Sequence, residues 1–197
     1  MAKLVADASG LPYLDTGAMY RCVALQTILE KIDPSDEFLV GVIAEKVEII
    51  VDGSRCILNG NDVSDAIRTP EIAGIVSVIA AHTPVRNAMR VQQQRWIESH
   101  GGGVVEGRDI GTVVFPHAEL KIFLTASPEE RASRRVGQNG GDIAEVAANI
   151  AERDRIDSQR ADSPLRPASD AIIVDSTGVE ITQVVATIIQ HFEMAKR

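Results

Sequence analysis

Arginines and aspartates stand side by side at two places in the chain, Gly107-Arg108-Asp109 and the run ERDRIDSQR at 152–160. A guanidinium is a planar fork of donors that fits phosphate oxygens, and a carboxylate accepts from hydroxyls and amino groups. The mixture suits a small phosphate ligand that also carries hydroxyl or base groups. At 152–160 it equally fits a solvated helix laced with i,i+4 ion pairs, and these residues alone leave both readings open. Gly107 lets backbone approach a ligand closely, or simply serves a tight turn. Charge narrows the class of ligand. With 20 Lys+Arg against 28 Asp+Glu the formal net charge is −8, which repels a nucleic-acid backbone at long range, so nucleic acid is not an expected partner. Cys22 and Cys56 are isolated, outside any C-x-x-C and away from paired histidines, so neither a disulfide framework nor a zinc site is expected. No apolar run reaches the roughly 18 residues of a membrane span. The opening MAKLVADASG lacks the apolar stretch and cleavage site of a secretory signal. The expected setting is a reducing cytoplasm, with no membrane partner.

The elements that must position these residues alternate. Residues 2–9 read as the end of a helix stopped by Gly10. LPYLD at 11–15 reads as a strand, and Thr16-Gly17 opens a helix with Met19, Val23, Ala24 and Ile28 among its apolar positions. Another helix covers 36–46. VEIIVD and RCILNG, punctuated by DG at 52–53 and NG at 59–60, read as small antiparallel strands. Thr69-Pro70 and Thr83-Pro84 open two more helices, the second broken by Gly101 to Gly103. VVE at 104–106 reads as a short buried strand and LKIFLTA at 120–126 as a stronger one, apolar on both faces. Ser127-Pro-Glu-Glu130 is a capping box. GQNGGD at 137–142 reads as a flexible connector between two Arg-rich helices, AIIVD at 171–175 as the last strand, and VEITQVVATIIQHF as an amphipathic final helix. The expectation is one α/β domain over residues 1–197, a parallel sheet flanked by helices with a small antiparallel insert at 47–73. Ligands on such sheets sit at the strands' carboxyl ends. That rim would hold Asp15-Thr16, Gly107-Arg108-Asp109 and Asp175-Ser176-Thr177.

Five stretches, in order, carry a resemblance: LDTGAMYR (14–21), NGNDVSDAIRTPEIA (59–73), VVEGRDIGTVVFP (104–116), KIFLTASPEERASRR (121–135) and ERDRIDSQRADSPLRPASDAIIVDST (152–177). Together they resemble the cytidylate kinases, a family of P-loop nucleoside monophosphate kinases. The resemblance implies transfer of the γ-phosphoryl of ATP, with Mg²⁺, to CMP or dCMP by a monomeric enzyme. It implies that Arg21, Arg108 and Arg160 hold the acceptor phosphate and that Ser77, Arg86 and Asp109 read the cytosine edge. Arg153 and Asp157 would contact the sugar. Arg153 and Arg160 are the residues set nearest the transfer. Arg68 is a further candidate for the acceptor nucleotide, and Thr16 either caps its helix or touches that nucleotide. Residues 127–160 resemble the family's lid, with Arg131, Ser176 and Thr177 on the ATP side. Arg134 and Arg135 are either lid cations or surface charge.

The chain departs from the family at one motif. No G-x-x-x-x-G-K-[ST] occurs in the 197 residues. The resemblance places that loop, its strand and a first turn of helix, about 20 residues in all, ahead of MAKLVADASG. A misassigned start or a truncated gene is the expected reason. The chain as written is then expected to lack phosphotransfer and to carry a weakened sheet. A degenerate relative that binds CMP without transferring phosphate is the alternative.

Overall fold

The computed structural model describes residues 1–160 and 162–196, and all their side chains except those of Gln138 and Asn139. Helix α1 (Ala2–Ser9) ends at Gly10, whose φ of 70° is open to glycine at no steric cost. Strand β1 (Tyr13–Asp15) follows, and the Asp15 carboxylate caps helix α2 (Thr16–Leu29) by accepting from Ala18 N at 3.0 Å. The strand begins later than LPYLD suggests. Pro12 has no N–H to offer a ladder, though its carbonyl still accepts from Val104 N at 2.8 Å. Asp36 caps α3 (Glu37–Lys46). Strands β2 (Ile49–Asp52), β3 (Arg55–Leu58) and β4 (Asn61–Asp62) form the antiparallel sheet, with Val51 opposite Cys56. A 3₁₀ turn over Ala66–Arg68 leads into α4 (Pro70–Ile79) and α5 (Thr83–His100), both with proline in the first turn. Strand β5 (Val104–Glu106) is followed by a π-helical turn over Ile110–Val114, an element the sequence reading did not contain. Then come β6 (Ile122–Thr125), α6 (Pro128–Asn139), α7 (Ile143–Ser158), β7 (Ile172–Asp175) and α8 (Ile181–Ala195). The connector expected at 137–142 is shorter than that stretch: α6 continues through Asn139, and Gly140, with φ 72°, stops it.

The α/β class and the helix-flanked parallel strands are as expected. The parallel strands form two pairs. β1 lies beside β5 with Asp15 opposite Glu106, and β6 beside β7 with Thr125 opposite Asp175. β5 and β6 share no ladder. Between them opens a cavity of about 2090 Å³, lined by Val104–Glu106, by Ile122–Thr125 and by Met1, Val5 and Ile188. This opening leaves β5 half-buried where a buried strand was expected. Helices α1 and α8 cover the face of β6–β7 that carries Ile122, Ile172 and Val174, while Ile173 on the other face is 63% exposed.

Two cores result. The larger surrounds α2 and joins Leu14, Met19, Val23 and Val40 to Ile79, Val85 and Met89; it also takes in Val51, Cys56, Leu58 and Ile67 from the 47–73 region. The insert is therefore built into the main core. The smaller core is Val5, Val174, Val184 and Ile188. Helix α1 packs against β5 and α8 and so links the two.

Candidate active site

The floor of the cavity is an ion pair. Arg86 on α5 donates from Nη2 to Asp109 Oδ2 at 2.5 Å and from Nη1 to the Ala80 carbonyl at 3.1 Å. Both side chains are buried, at 3% and 8% exposure, so neither charge has water as an alternative partner. The Tyr20 ring lies 6.0 Å from the guanidinium. Asp109 opens the π-helical turn, whose Val113 N–H donates to the Asp109 carbonyl at 2.9 Å. Such turns recur at functional sites, where the extra residue re-aims the backbone. Gly107 is fixed by packing: a Cβ there would stand 2.5 Å from Thr16 Oγ1 and 2.8 Å from Ile110 Cδ1. Thr16 itself is buried and donates to the Glu106 carbonyl at 2.7 Å, while Asp15 performs the capping.

Asp157 is the second centre. Its side chain is 1% exposed, with Arg108 Nε at 3.2 Å, Arg153 Nε at 3.9 Å and Arg160 Nη2 in direct contact. These are ion-pair contacts without hydrogen-bond alignment. Both Asp157 oxygens, Arg153 Nε, Arg160 Nε and Arg86 Nε are buried with no aligned partner. Burial lowers the pKa of Arg153 and of Arg160, and the neighbouring arginines add to the shift at Arg153. Arg108 and Arg131 both reach Asp154, one on each carboxylate oxygen.

The rim is made by β1 and β5. Tyr13 Oη donates to Glu106 Oε1 at 2.5 Å. Burial raises the pKa of Glu106 foremost, and the Tyr13 hydrogen bond opposes it; Tyr13 is raised by burial and by that same bond. Arg21 donates to the Ile67 carbonyl at 3.3 Å and Arg68 to the Ser64 carbonyl at 3.1 Å, and both line the cavity. Burial lowers the pKa of Arg21.

Of the residues singled out in the sequence, Thr16, Arg21, Arg68, Arg86, Arg108, Asp109, Arg131, Arg153, Asp157 and Arg160 line this one cavity. Ser77, Ser176 and Thr177 do not. Ser77 is half-buried on α4 beside the cavity-lining Val76. Ser176 is buried and accepts from Arg134 at its hydroxyl (3.0 Å) and carbonyl (2.7 Å), and Thr177 Oγ1 accepts from Ser127 N at 2.8 Å. This turn thus anchors the start of α6, and Arg134 serves as its clip. The rim expected to hold Asp175-Ser176-Thr177 with the other turns holds only the other two. Arg135 lines the cavity. Tyr13, Glu106 and Asp154 were not picked out by residue type. The place of Glu106 at the carboxyl end of β5 and the i,i+3 spacing of Asp154 from Asp157 are the signals that mark those two; Tyr13, at the start of β1, carries none.

The family profile of cytidylate kinase matches residues 1–194. The chain belongs to the cytidylate kinase family. A cytidylate kinase of Bacillus subtilis (strain 168) is 42% identical over 206 residues, covering 100% of this chain and 92% of that protein. One of Desulforamulus reducens is 45% identical over 204 residues, covering 100% and 91%. A bifunctional pantoate ligase/cytidylate kinase of Prochlorococcus marinus (strain MIT 9303) is 47% identical over 205 residues, of which the chain spans 98% of its own length but 42% of the relative's. The chain thus spans about two fifths of the bifunctional relatives it matches and nearly all of the single cytidylate kinases. Among the described residues no helix is long and apolar enough to cross a membrane, and no group of three His, Cys, Asp or Glu could hold a metal ion.

Proposed function

We propose that this member of the cytidylate kinase family binds CMP or dCMP in the cavity and receives on it the γ-phosphoryl of ATP, giving CDP or dCDP. The observation that carries the reading is the convergence of Arg21, Arg86, Arg108, Arg153 and Arg160 with Asp109 and Asp157 on one cavity. They ask for a ligand with phosphate oxygens, hydroxyls and a polar ring edge together. Arg86 and the free oxygen of Asp109 read the base: the carboxylate accepts from an exocyclic amino group and the guanidinium donates to ring acceptors. Ser77 supports that edge from α4. Arg153 and Asp157 meet the sugar, with Thr16 and Arg68 bordering the nucleotide. Arg21, Arg108 and Arg160 hold the acceptor phosphate with its oxygen facing the donor. Arg131 belongs to the lid that closes over the phosphates, and Ser176 and Thr177 serve the donor side by anchoring the start of its helix α6.

Phosphoryl transfer leaves little covalent work to the protein: an acceptor oxygen bonds to the γ-phosphorus, ADP departs, and the cations stabilise charge spread over the equatorial oxygens. Mg²⁺ would arrive on the donor's phosphates, as an ion that keeps most of its ligands from phosphate and water does. We assign the enzyme to the cytoplasm as a monomer acting on freely diffusing nucleotides. The donor's phosphates need a G-x-x-x-x-G-K-[ST] loop that these 197 residues do not contain. The 197-residue form is therefore expected to bind CMP and to form no ADP, and a form carrying that loop ahead of Met1 to turn CMP over.

The test is calorimetry of CMP, dCMP, AMP and GMP on the 197-residue form, with ADP production from both forms. Equal binding of AMP and CMP overturns the acceptor reading. Turnover by the short form within tenfold of the extended one overturns the need for the loop. A loop-bearing form that binds CMP and makes no ADP favours the alternative of a CMP-binding protein without transfer.

A further inference from the structure

Asp154 stands outside every role given above. It lies on α7 three residues before Asp157, so both face the cavity. Its Oδ1 accepts from Arg108 Nη1 at 2.8 Å, and its Oδ2 pairs with Arg131 Nη2. The two arginines come from different elements, the turn after β5 and helix α6. One carboxylate oxygen for each guanidinium is also how two oxygens of a phosphate would bridge them.

The neighbouring Asp157 makes a contrast. Its side chain is 1% exposed and held among Arg108, Arg153 and Arg160. Asp154 is 24% exposed, and its partners Arg108 and Arg131 are 34% and 33% exposed. A charge that already meets water loses little on release, whereas a buried one would be left uncompensated. Asp157 is thus built to stay and Asp154 to leave.

We propose that Asp154 is a place-holder carboxylate: it bridges Arg108 and Arg131 and gives way there to phosphate oxygens of a bound nucleotide. The proposal rests on the reading of the cavity as a phosphate-binding acceptor site. It makes Asp154 a determinant of affinity for phosphate. A ligand gains both arginines only if it brings oxygens that displace the carboxylate, and a nucleoside without phosphate gains neither. Until then the carboxylate keeps two cations from repelling each other and holds the α6 arginine over the site.

The experiment is calorimetry on the 197-residue chain and its Asp154→Asn variant with three probes: CMP, cytidine and inorganic pyrophosphate. Asp154→Asn is expected to bind CMP and pyrophosphate about three- to tenfold tighter, tenfold being about 1.4 kcal/mol, and cytidine unchanged. Glu152→Gln removes the same charge two residues away, where Glu152 pairs with Arg155 in the open, and is expected to change nothing. Equal tightening by both variants, a field effect only, overturns the proposal. So does an Asp154→Asn affinity for CMP that is unchanged, or weakened together with that for cytidine. The wild-type chain gives an independent reading should the variant not fold. The Asp154 carboxyl ¹³C signal is expected to move on saturation with CMP or pyrophosphate and to stay put with cytidine; a signal unmoved at saturating CMP overturns the place-holder. If the chain binds pyrophosphate but not CMP, the cytidine reading fails while tighter pyrophosphate binding by Asp154→Asn still supports the place-holder. If it binds CMP selectively with no effect of Asp154→Asn, the place-holder alone fails. Binding of neither probe overturns both.

Discussion

The half of the molecule built on β1 and β5 has a core that spans four helices, α2 to α5, and the antiparallel sheet, whereas the half built on β6 and β7 has a core of Val5, Val174, Val184 and Ile188. The functional residues divide along the same line. Arg86 and Asp109, buried on the first half, have one geometry available to them. Arg131 and Arg134 stand on α6, beside the second half, at 33% and 37% side-chain exposure. Dense packing fixes the groups proposed to choose a base. Thin packing leaves freer the groups proposed to close over phosphates, because segments with few buried apolar contacts open at small free energy.

The sharpest way to break this comparison is to remove one charge from each half. Asp109→Ala leaves Arg86 buried without its carboxylate, and the expected loss is about 3–5 kcal/mol of stability. Arg131→Ala breaks a pair that water already reaches, and the expected loss is about 0–1 kcal/mol. Denaturant titrations of the two variants decide it, and equal losses would mean the halves are not mechanically distinct. In binding, Asp109→Ala is expected to weaken discrimination of cytosine from uracil, and Arg160→Ala to weaken all monophosphates alike. The reverse pattern would show the base and phosphate roles to be exchanged.

Core truncations test the same contrast a step lower in energy. Ile79 on α4 is fully buried in the large core, so Ile79→Ala is expected to cost about 2–5 kcal/mol and to lower protection from hydrogen exchange across β1, α2 and β5 together. Ile188→Ala in the small core is expected to speed exchange in β6, β7 and α8 while β1 and β5 keep their protection. Uniform acceleration by Ile188→Ala would show one cooperative unit where two cores suggest two.

How much of this was legible depended on how local the cause was. Helix starts were legible because capping is written in neighbouring residues, as with Thr69-Pro70 before α4 and Ser127 before α6, while Asp36, read as the first residue of α3, proves to be its cap. Glycine stops at Gly10 and Gly101 were legible for the same reason. The Arg-Asp clusters were legible as a phosphate-type inventory, and a family resemblance gave each member a role. The π-helical turn after Asp109 was not, because its backbone bonds answer to where β5 ends and α5 packs. Nor was the split of the parallel strands into two pairs, which depends on what lies between β5 and β6. Ser176 and Thr177 were assigned to the rim by strand-end position, and the side chain of Arg134, from another helix, turned them into an anchor for α6.

That anchor offers the next test. Arg134 holds the Ser176 hydroxyl and carbonyl and pairs with Glu130 at 2.9 Å. Arg134→Ala is expected to cost about 1 kcal/mol, a value lowered from that of a buried charged bond by the arginine's exposure. The loss should appear as faster hydrogen exchange in α6 with α2 unchanged. Unchanged α6 would mean that the Ser127 cap alone holds the helix and that Arg134 is free to act elsewhere.

The smallest effect is read from pH at the edge of the dense half. Tyr13 Oη, at the start of β1, donates to Glu106 Oε1 at the carboxyl end of the neighbouring β5. Burial raises the Glu106 pKa above its ordinary range, and the Tyr13 hydrogen bond holds it lower than burial alone would. A carboxyl whose folded pKa is raised contributes stability that is complete below its unfolded pKa and is lost as pH rises through the folded one. Tyr13→Phe removes the donor that favours the charged form, so the folded pKa climbs further and more stability is lost over the same rise. The gap in stability between wild type and Tyr13→Phe should therefore be smaller near pH 4 than near pH 8. The increment is expected to be about 1 kcal/mol, the difference between a hydrogen bond to a charged and to a neutral acceptor. Other carboxylates titrate in both proteins and cancel in the comparison. Melting of the two proteins across that range checks it. A gap independent of pH would mean that Tyr13 serves β1 and β5 by packing alone, and that Glu106 carries its charge there without help.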